Sequence, residues 1–271
     1  MTQLIRRVRS ERTTTQLQLV VKLAQRQIAQ RYRESMFGAT WALLNPLILL
    51  ALYWFVFAKV FKSSWTGPEA EAPYALLIFS GIIVFNLFSE IANNATNLVQ
   101  LNSLLIKRTT VSTRVLPLAS ALASLFTFAL NAVPFIVMYV VLERRAPPAT
   151  ALLAPVLIIL LLTLSAGVGM IIASVAAYFR DVQQVVPLLT TATLFLSPIF
   201  YPLESLPTAL QPIVEFATPL GVILPASKEL LFLGQVPSLL PLLGYALAAT
   251  ALFMAGWWLY GVASRGFSDV V

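Results

Sequence analysis

Side chains able to do chemistry are scarce in this chain, and their scarcity narrows its function. There is no histidine and no cysteine among 271 residues. A serine or threonine nucleophile therefore lacks its usual base, which argues against hydrolysis of the triad kind. The commonest ligands for zinc, haem or copper are missing too, as is any disulfide framework. Glycosyl or phosphoryl transfer on a divalent metal needs clustered carboxylates, yet the two aspartates, Asp181 and Asp269, each stand alone. No G-x-x-x-x-G-K-[ST] loop is present, so the chain does not bind ATP in that manner. Gly167-Val168-Gly169 resembles half of such a loop but sits inside an apolar run. With Ser165, Ala166, Ala173 and Ser174 it reads as a close-packing helix face.

A few isolated groups remain. Glu90 is costly if it faces lipid, so it faces protein or water. Two readings stand for it: a buried ion pair with a juxtamembrane arginine, or a cytoplasmic gate. Arg180-Asp181, just after Tyr178-Phe179, is most simply the charged end of an apolar segment. Tyr53, Trp54, Phe57 and Phe61 recur within one apolar run. A packing or lipid-facing stripe is the default there, and a sugar-stacking track is the alternative.

The elements that must position these groups are membrane spans. The chain is 59% hydrophobic and 11% charged, with a mean hydropathy of +0.84, far from a soluble domain. That much apolar surface exceeds what a soluble core of this size can hide. The periodicity predicts an all-α polytopic protein with six spans near 41–61, 74–97, 117–142, 151–177, 184–201 and 239–263. Residues 1–40 read as a cytosolic N-terminal segment without a cleavable signal peptide. Within it Leu17, Val20, Val21, Ala24, Ile28 and Tyr32 oppose Lys22, Arg26, Gln30 and Arg33. This amphipathic helix suits a membrane interface, a surface helix of a small cytosolic domain being the plainer reading. It meets the first span at Arg31-Tyr32-Arg33 … Gly38 … Trp41, with arginines for lipid phosphates and tryptophan for the headgroup layer. The six-span domain covers 41–265. Inside it, residues 203–237 are apolar but broken by Pro207, Pro212, Pro219 and Pro225. Pieces that short cannot span, so they are expected as external re-entrant helices.

Charge orients the bundle. Thirteen of the Lys and Arg residues fall on the side of the two termini and five on the other, which also holds Glu69, Glu71, Glu143, Glu204, Glu215 and Glu229. The excess places both termini in the cytoplasm. The net charge of +7 thus serves membrane orientation and not nucleic acid.

The motifs, taken in series, resemble the membrane subunit of type-2 ATP-binding-cassette exporters, in the branch that exports lipid-linked polysaccharide. They are Arg31-Tyr32-Arg33 … Gly38 … Trp41 … Leu44-Asn45-Pro46, Leu105-Ile106-Lys107 … Val115-Leu116-Pro117, Tyr178-Phe179-Arg180-Asp181-Val182, Leu196-Ser197-Pro198-Ile199-Phe200-Tyr201-Pro202 and Pro219-Leu220. Two departures are Arg108-Thr109-Thr110-Val111-Ser112-Thr113, where an aromatic–proline pair is expected, and Lys228, where relatives more often have arginine. The resemblance implies a homodimer in the inner membrane, docked on a separate ATPase dimer that holds the ATP and magnesium; this chain itself carries no cofactor. It implies a channel at the dimer interface lined by the first and fifth spans, with Tyr53, Phe57, Phe61, Phe195 and Phe200 near the path. Arg31, Arg33, Lys107, Arg108, Arg180 and Asp181 are the implied ATPase-coupling residues. O-antigen is the implied cargo, with capsule or teichoic acid next. A drug or small-lipid exporter is the alternative within transport, and a membrane enzyme on lipid-linked sugars the alternative outside it.

Overall fold

The computed structural model describes residues 16–30, 40–53, 55–56, 73–108 and 112–270. Helix α1 (16–30) precedes α2 (Trp41–Tyr53), α3 (Tyr74–Ala95), the short α4 (Leu98–Leu101) and α5 (Ser103–Arg108), and α6 (Val115–Glu143). There follow α7 (Ala154–Ala176), α8 (Val182–Leu196), the short α9 (Gln211–Ala217) and α10 (Ile223–Lys228), α11 (Leu239–Ala263) and α12 (Phe267–Val270). No strand occurs among the described residues. The runs Tyr74–Ala95, Val115–Glu143, Ala149–Ala176 and Leu239–Gly266 are long and apolar enough to cross a membrane, and α8 is a shorter apolar helix. The first expected span opens as α2; apart from 55–56, its remainder lies outside the described residues. Residues 203–237 form short helical pieces, ending in a π-helical turn at Glu229–Leu233.

Helix α3 is the pillar of the bundle, packed against α2, α6, α7, α8 and α10. It is buried almost all round, from Ala75 to Ala95. A helix apolar on every face is suited to that place. The tightest pairing joins α7 to α11. A Cβ on Gly167 would come within 2.6 Å of the Phe253 backbone nitrogen, so the two helix backbones touch there. Gly169 faces the other way, against Ile91 of α3. Ser165, Ala166, Ala173 and Ser174 are all buried. The small-residue run is thus a close-packing face, used on two sides.

Long-range hydrogen bonds tie the helices at two ends. At one, Gln100 Nε2 donates to Ala176 O, Tyr178 Oη to Ala263 O and Tyr260 Oη to Thr113 O. The Arg114 guanidinium lies 4.8 Å over the Trp257 ring there. At the other, Tyr74 Oη donates to Phe200 O, Tyr139 Oη to Leu231 O, Thr150 Oγ1 to Leu230 O and Tyr245 Oη to Pro219 O. Each tyrosine donates its hydroxyl to a backbone carbonyl of another segment, at a helix end for Ala263 and in a turn between helices for Thr113, Phe200 and Pro219.

Two expectations shift in detail. The buried face of α1 is Val20, Leu23 and Ala24, set on the bundle core, while Leu17 and Val21 of the expected stripe are exposed. Helix α8 begins two residues before 184 and stops at Leu196, because Ser197 turns extended before Pro198. Its 15 residues rise only about 22 Å, short of a hydrocarbon core of roughly 30 Å.

Candidate functional site

The C-terminal turns of α3 and the residues just after it carry Ser89, Glu90, Asn93, Asn94, Thr96 and Asn97 in place of the apolar residues before them. At 100° per residue, Ser89, Asn93 and Thr96 share one face. Opposite them stand Gln183, Pro187, Thr190 and Thr191 of α8. The space between the two helices is an open cleft of about 420 Å³, closed at its apolar end by Phe85 and Leu194. Asn93 Nδ2 donates to Ser89 O at 2.8 Å, to Ser89 Oγ at 3.0 Å and weakly to Thr190 Oγ1 at 3.4 Å. Its Oδ1 is buried and accepts no hydrogen bond among the described residues. Gln183 Nε2 donates to Gln100 Oε1 at 2.9 Å and closes the cleft at the helix ends.

A second cleft, of about 370 Å³, lies between α1, the C-terminal end of α3 and the N-terminal half of α6. Arg26, Gln27 and Gln30 of α1 face Asn94, Asn102, Ser120 and Thr127 across it. Asn93 and Asn97 border both clefts, so one turn of α3 separates them. Beside this turn Glu90 accepts hydrogen bonds from Ser124 Oγ at 3.0 Å and Thr127 Oγ1 at 3.4 Å of α6. A carboxylate so held is solvated by hydroxyls inside an apolar bundle. The arrangement is a polar seam that hydroxyl- and amide-rich molecules or water can follow, with no group poised for covalent chemistry. No cluster of three metal-ligating side chains occurs among the described residues.

The sequence-picked residues fall in three places. Phe195 and Phe200 come together, ring centroids 6.0 Å apart and planes 28° off parallel. Phe195 is exposed, and Phe200 backs it, packed on the core. Tyr53 ends α2, while Phe57 and Phe61 lie outside the described residues. Helix α2 packs on α6 and α3, and α8 on α3 and α7, so α3 touches both expected channel helices. Lys107 is exposed on α5 and Arg108 ends that helix; Arg180 and Asp181 are exposed on the turn between α7 and α8. The bond from Gln183 to Gln100 brings that turn to the α4–α5 end of the molecule. Arg31 and Arg33 lie outside the described residues. Sequence reasoning missed Asn93, Gln183, Thr190, Ser124 and Thr127 as partners. Their trace was hydroxyls and amides inside runs otherwise apolar, without any mark of which would meet.

Residues 18–220 match the ABC-2 type transporter family, from α1 through α8 and into the short helices beyond it. The chain belongs to the ABC-2 type transporter family. Curated relatives align with it over most of its length. The O-antigen export system permease protein RfbA of Myxococcus xanthus is 25% identical, over 88% of this chain and 89% of that protein. A protein of the same description from Klebsiella pneumoniae is 25% identical, over 86% and 89%. The polysialic acid transport protein KpsM of Escherichia coli is 32% identical, over 67% of this chain and 69% of that one. The seam of α3 and α8 falls within the part of the chain that matches the family.

Proposed function

We propose that this chain is the permease of an ATP-driven exporter that moves lipid-linked polysaccharide, O-antigen foremost, across the inner membrane. Its partners are a second copy of itself and a separate ATPase dimer, with both termini cytosolic and six spans in each copy. The observation that carries this reading is the condition of α8. Apart from Val186 and Thr190, that helix is left exposed or half-covered, including Leu188, Leu189 and Phe195. A second copy set against this face turns the open α3–α8 cleft into an enclosed path, with polar groups on one stretch and stacked rings on another. Hydroxyls and amides exchange easily with sugar hydroxyls, and aromatic faces tolerate a moving polymer. Tyr53, Phe57 and Phe61 join the path from the first span in this reading, and Glu90 is its gate. Lys107, Arg108, Arg180, Asp181, Arg31 and Arg33 face the ATPase. The 32% identity to a polysialic acid transport protein favours capsule polysaccharide as the second reading of the cargo.

The natural absence of cysteine makes the test clean. Leu188→Cys should form a disulfide-linked dimer on oxidation, and the linked protein should stop exporting glycan in a strain lacking the native chain. The ATPase subunit should co-purify, and hydrolysis should be absent from the permease alone. Monomer only after oxidation, or export unaffected by the link, overturns the dimer path. Glycan export unchanged by loss of the chain overturns the cargo.

A further inference from the structure

On the opposite flank of α3 lies a cleft of different character. It is about 530 Å³ in volume and runs between α6 and α7, with α10 at one end. Its α6 wall extends from Leu125 to Tyr139, about 21 Å along the helix axis. The α3 residues on it, Ser80, Ile83 and Val84, are turned about 180° from Ser89, Asn93 and Thr96 of the polar seam. The two clefts therefore open on different sides of the pillar.

Among the described residues, each side-chain hydroxyl lining this cleft donates to a backbone carbonyl of the protein. Ser80 Oγ donates to Leu77 O at 2.8 Å, Ser227 Oγ to Ile223 O at 2.7 Å and Tyr139 Oη to Leu231 O at 2.8 Å. The lips are Ile136 and Ile159, exposed at 50% and 61%, on helices long and apolar enough to lie in a membrane. An open apolar slot at that depth fills with hydrocarbon, because water there finds no partner. Its length exceeds half of the roughly 30 Å hydrocarbon core, the depth that one leaflet's chain occupies.

The end of the cleft nearest Tyr139 carries charge. Helix α6 stops at Arg144, which takes a left-handed conformation with φ 52°. Arg144 is exposed and has no hydrogen-bond or ion-pair partner among the described residues. Its neighbour Arg145 is held by Glu143 at 3.0 Å and reaches Phe232 O at 3.4 Å. Pro147, three residues past Arg144, is itself part of the cleft wall. An exposed guanidinium at the interface end of an acyl-length slot matches the two parts of one molecule.

We propose that the α6–α7 cleft is a phospholipid site, one acyl chain lying in the slot and the headgroup phosphate on Arg144. Such a lipid fills the gap that the two hairpin helices leave between them and steadies α10 at its end. The site is separate from the export path and stands whether or not that path is assigned correctly.

Native mass spectrometry on the purified dimer or monomer, exchanged into mild detergent with phosphatidylglycerol, tests it. Wild-type chain should retain one phosphatidylglycerol. Ala132→Phe, which fills the slot, should cut retention by about tenfold, the contact loss of about two methylenes. Arg144→Gln, on the surface, should abolish the preference for phosphatidylglycerol over phosphatidylcholine. Leu247→Phe, on a lipid-facing position of α11 exposed at 74%, is the control. Equal retention by wild type and Ala132→Phe, or equal loss in the control, overturns the slot. Should Ala132→Phe fail to assemble, Arg144→Gln decides alone, and an unchanged headgroup preference overturns the proposal. Recovery of a polyprenyl-linked glycan in place of phospholipid also overturns it.

Discussion

Gly256 of α11 rests on the carbonyl of Gly167 in α7, so closely that a Cβ at 256 would press into the Gly167 oxygen. What it would meet is backbone, which cannot swing aside as a side chain would. In lipid, helix association draws on such close packing because apolar side chains are no better off against each other than against acyl chains. Gly256→Ala should therefore lower stability by about 1–3 kcal/mol, the usual cost of overpacking. Detergent melting followed by size-exclusion fluorescence reads this. Gly244→Ala, where no atom lies within 4 Å of the added carbon, should change little. A Gly256→Ala protein that melts with wild type removes the crossing from the account of stability.

Glu90 supports a second prediction. Glu90→Gln keeps an oxygen for Ser124 and Thr127, so assembly should hold. Glu90→Leu takes the acceptor from the Ser124 hydroxyl, while Thr127 can turn to the Ala123 carbonyl at 3.3 Å, and should cost about 1–3 kcal/mol. If the charge itself gates, Glu90→Gln should slow export or leave the path leaky while the melting temperature stays put. Full export by Glu90→Gln with collapse of Glu90→Leu would assign the carboxylate to structure alone.

The short helices beyond α8 predict a pH effect. Burial pushes the Glu229 carboxyl above its ordinary value, and the nearby charge of Glu204 adds to the rise. The sign follows from linkage. An acid with a raised folded pKa is protonated more readily in the folded state, so folding gains as pH falls through that raised value. The gain is complete below the ordinary carboxylate value and is lost as pH rises through the folded one. Wild type should gain melting temperature relative to Glu229→Gln between neutral pH and that range. Glu204→Gln, which removes the second cause, should shrink the difference. Parallel melting curves for wild type and Glu229→Gln across this window would mean that the carboxyl is unperturbed.

What could be read from the chain was what depends on local composition. Apolar runs of span length, and Gly167-Val168-Gly169 as a packing face and not a phosphate loop, follow from residues adjacent in sequence. The end of α8 was half legible: Ser197-Pro198 announces a break, but the apolar Ile199-Phe200 carried the expected span past it. The face of α1 was misjudged in part. Apolar moment alone cannot weigh a protein surface against a lipid surface, and docking on the core rotated the buried stripe from Val21 to Leu23. The polar seam was illegible as a site. Asn93 and Thr190 are 97 residues apart, and only the packing of α8 on α3 brings them together.

The aromatic pair offers the last prediction. Phe195 is 63% exposed and stacked on Phe200, whose carbonyl is held by Tyr74 at 2.9 Å. Phe195→Leu keeps an apolar side chain at an exposed position and should leave expression and assembly near wild type. If the ring meets sugar, its loss removes about 0.5–1.5 kcal/mol of face-specific contact, by analogy with aromatic pairs. Export rate should fall several-fold for long polymer, since each repeat passing the ring meets the same deficit. Trp258→Leu is the matched control, an aromatic residue 68% exposed on α11, away from α8. Pulse-labelled glycan appearing at the cell surface measures both. Equal slowing in the control, or none in Phe195→Leu, would return Phe195 to a packing role and leave the polar groups of α3 and α8 and the first-span aromatics as the parts of the path to test.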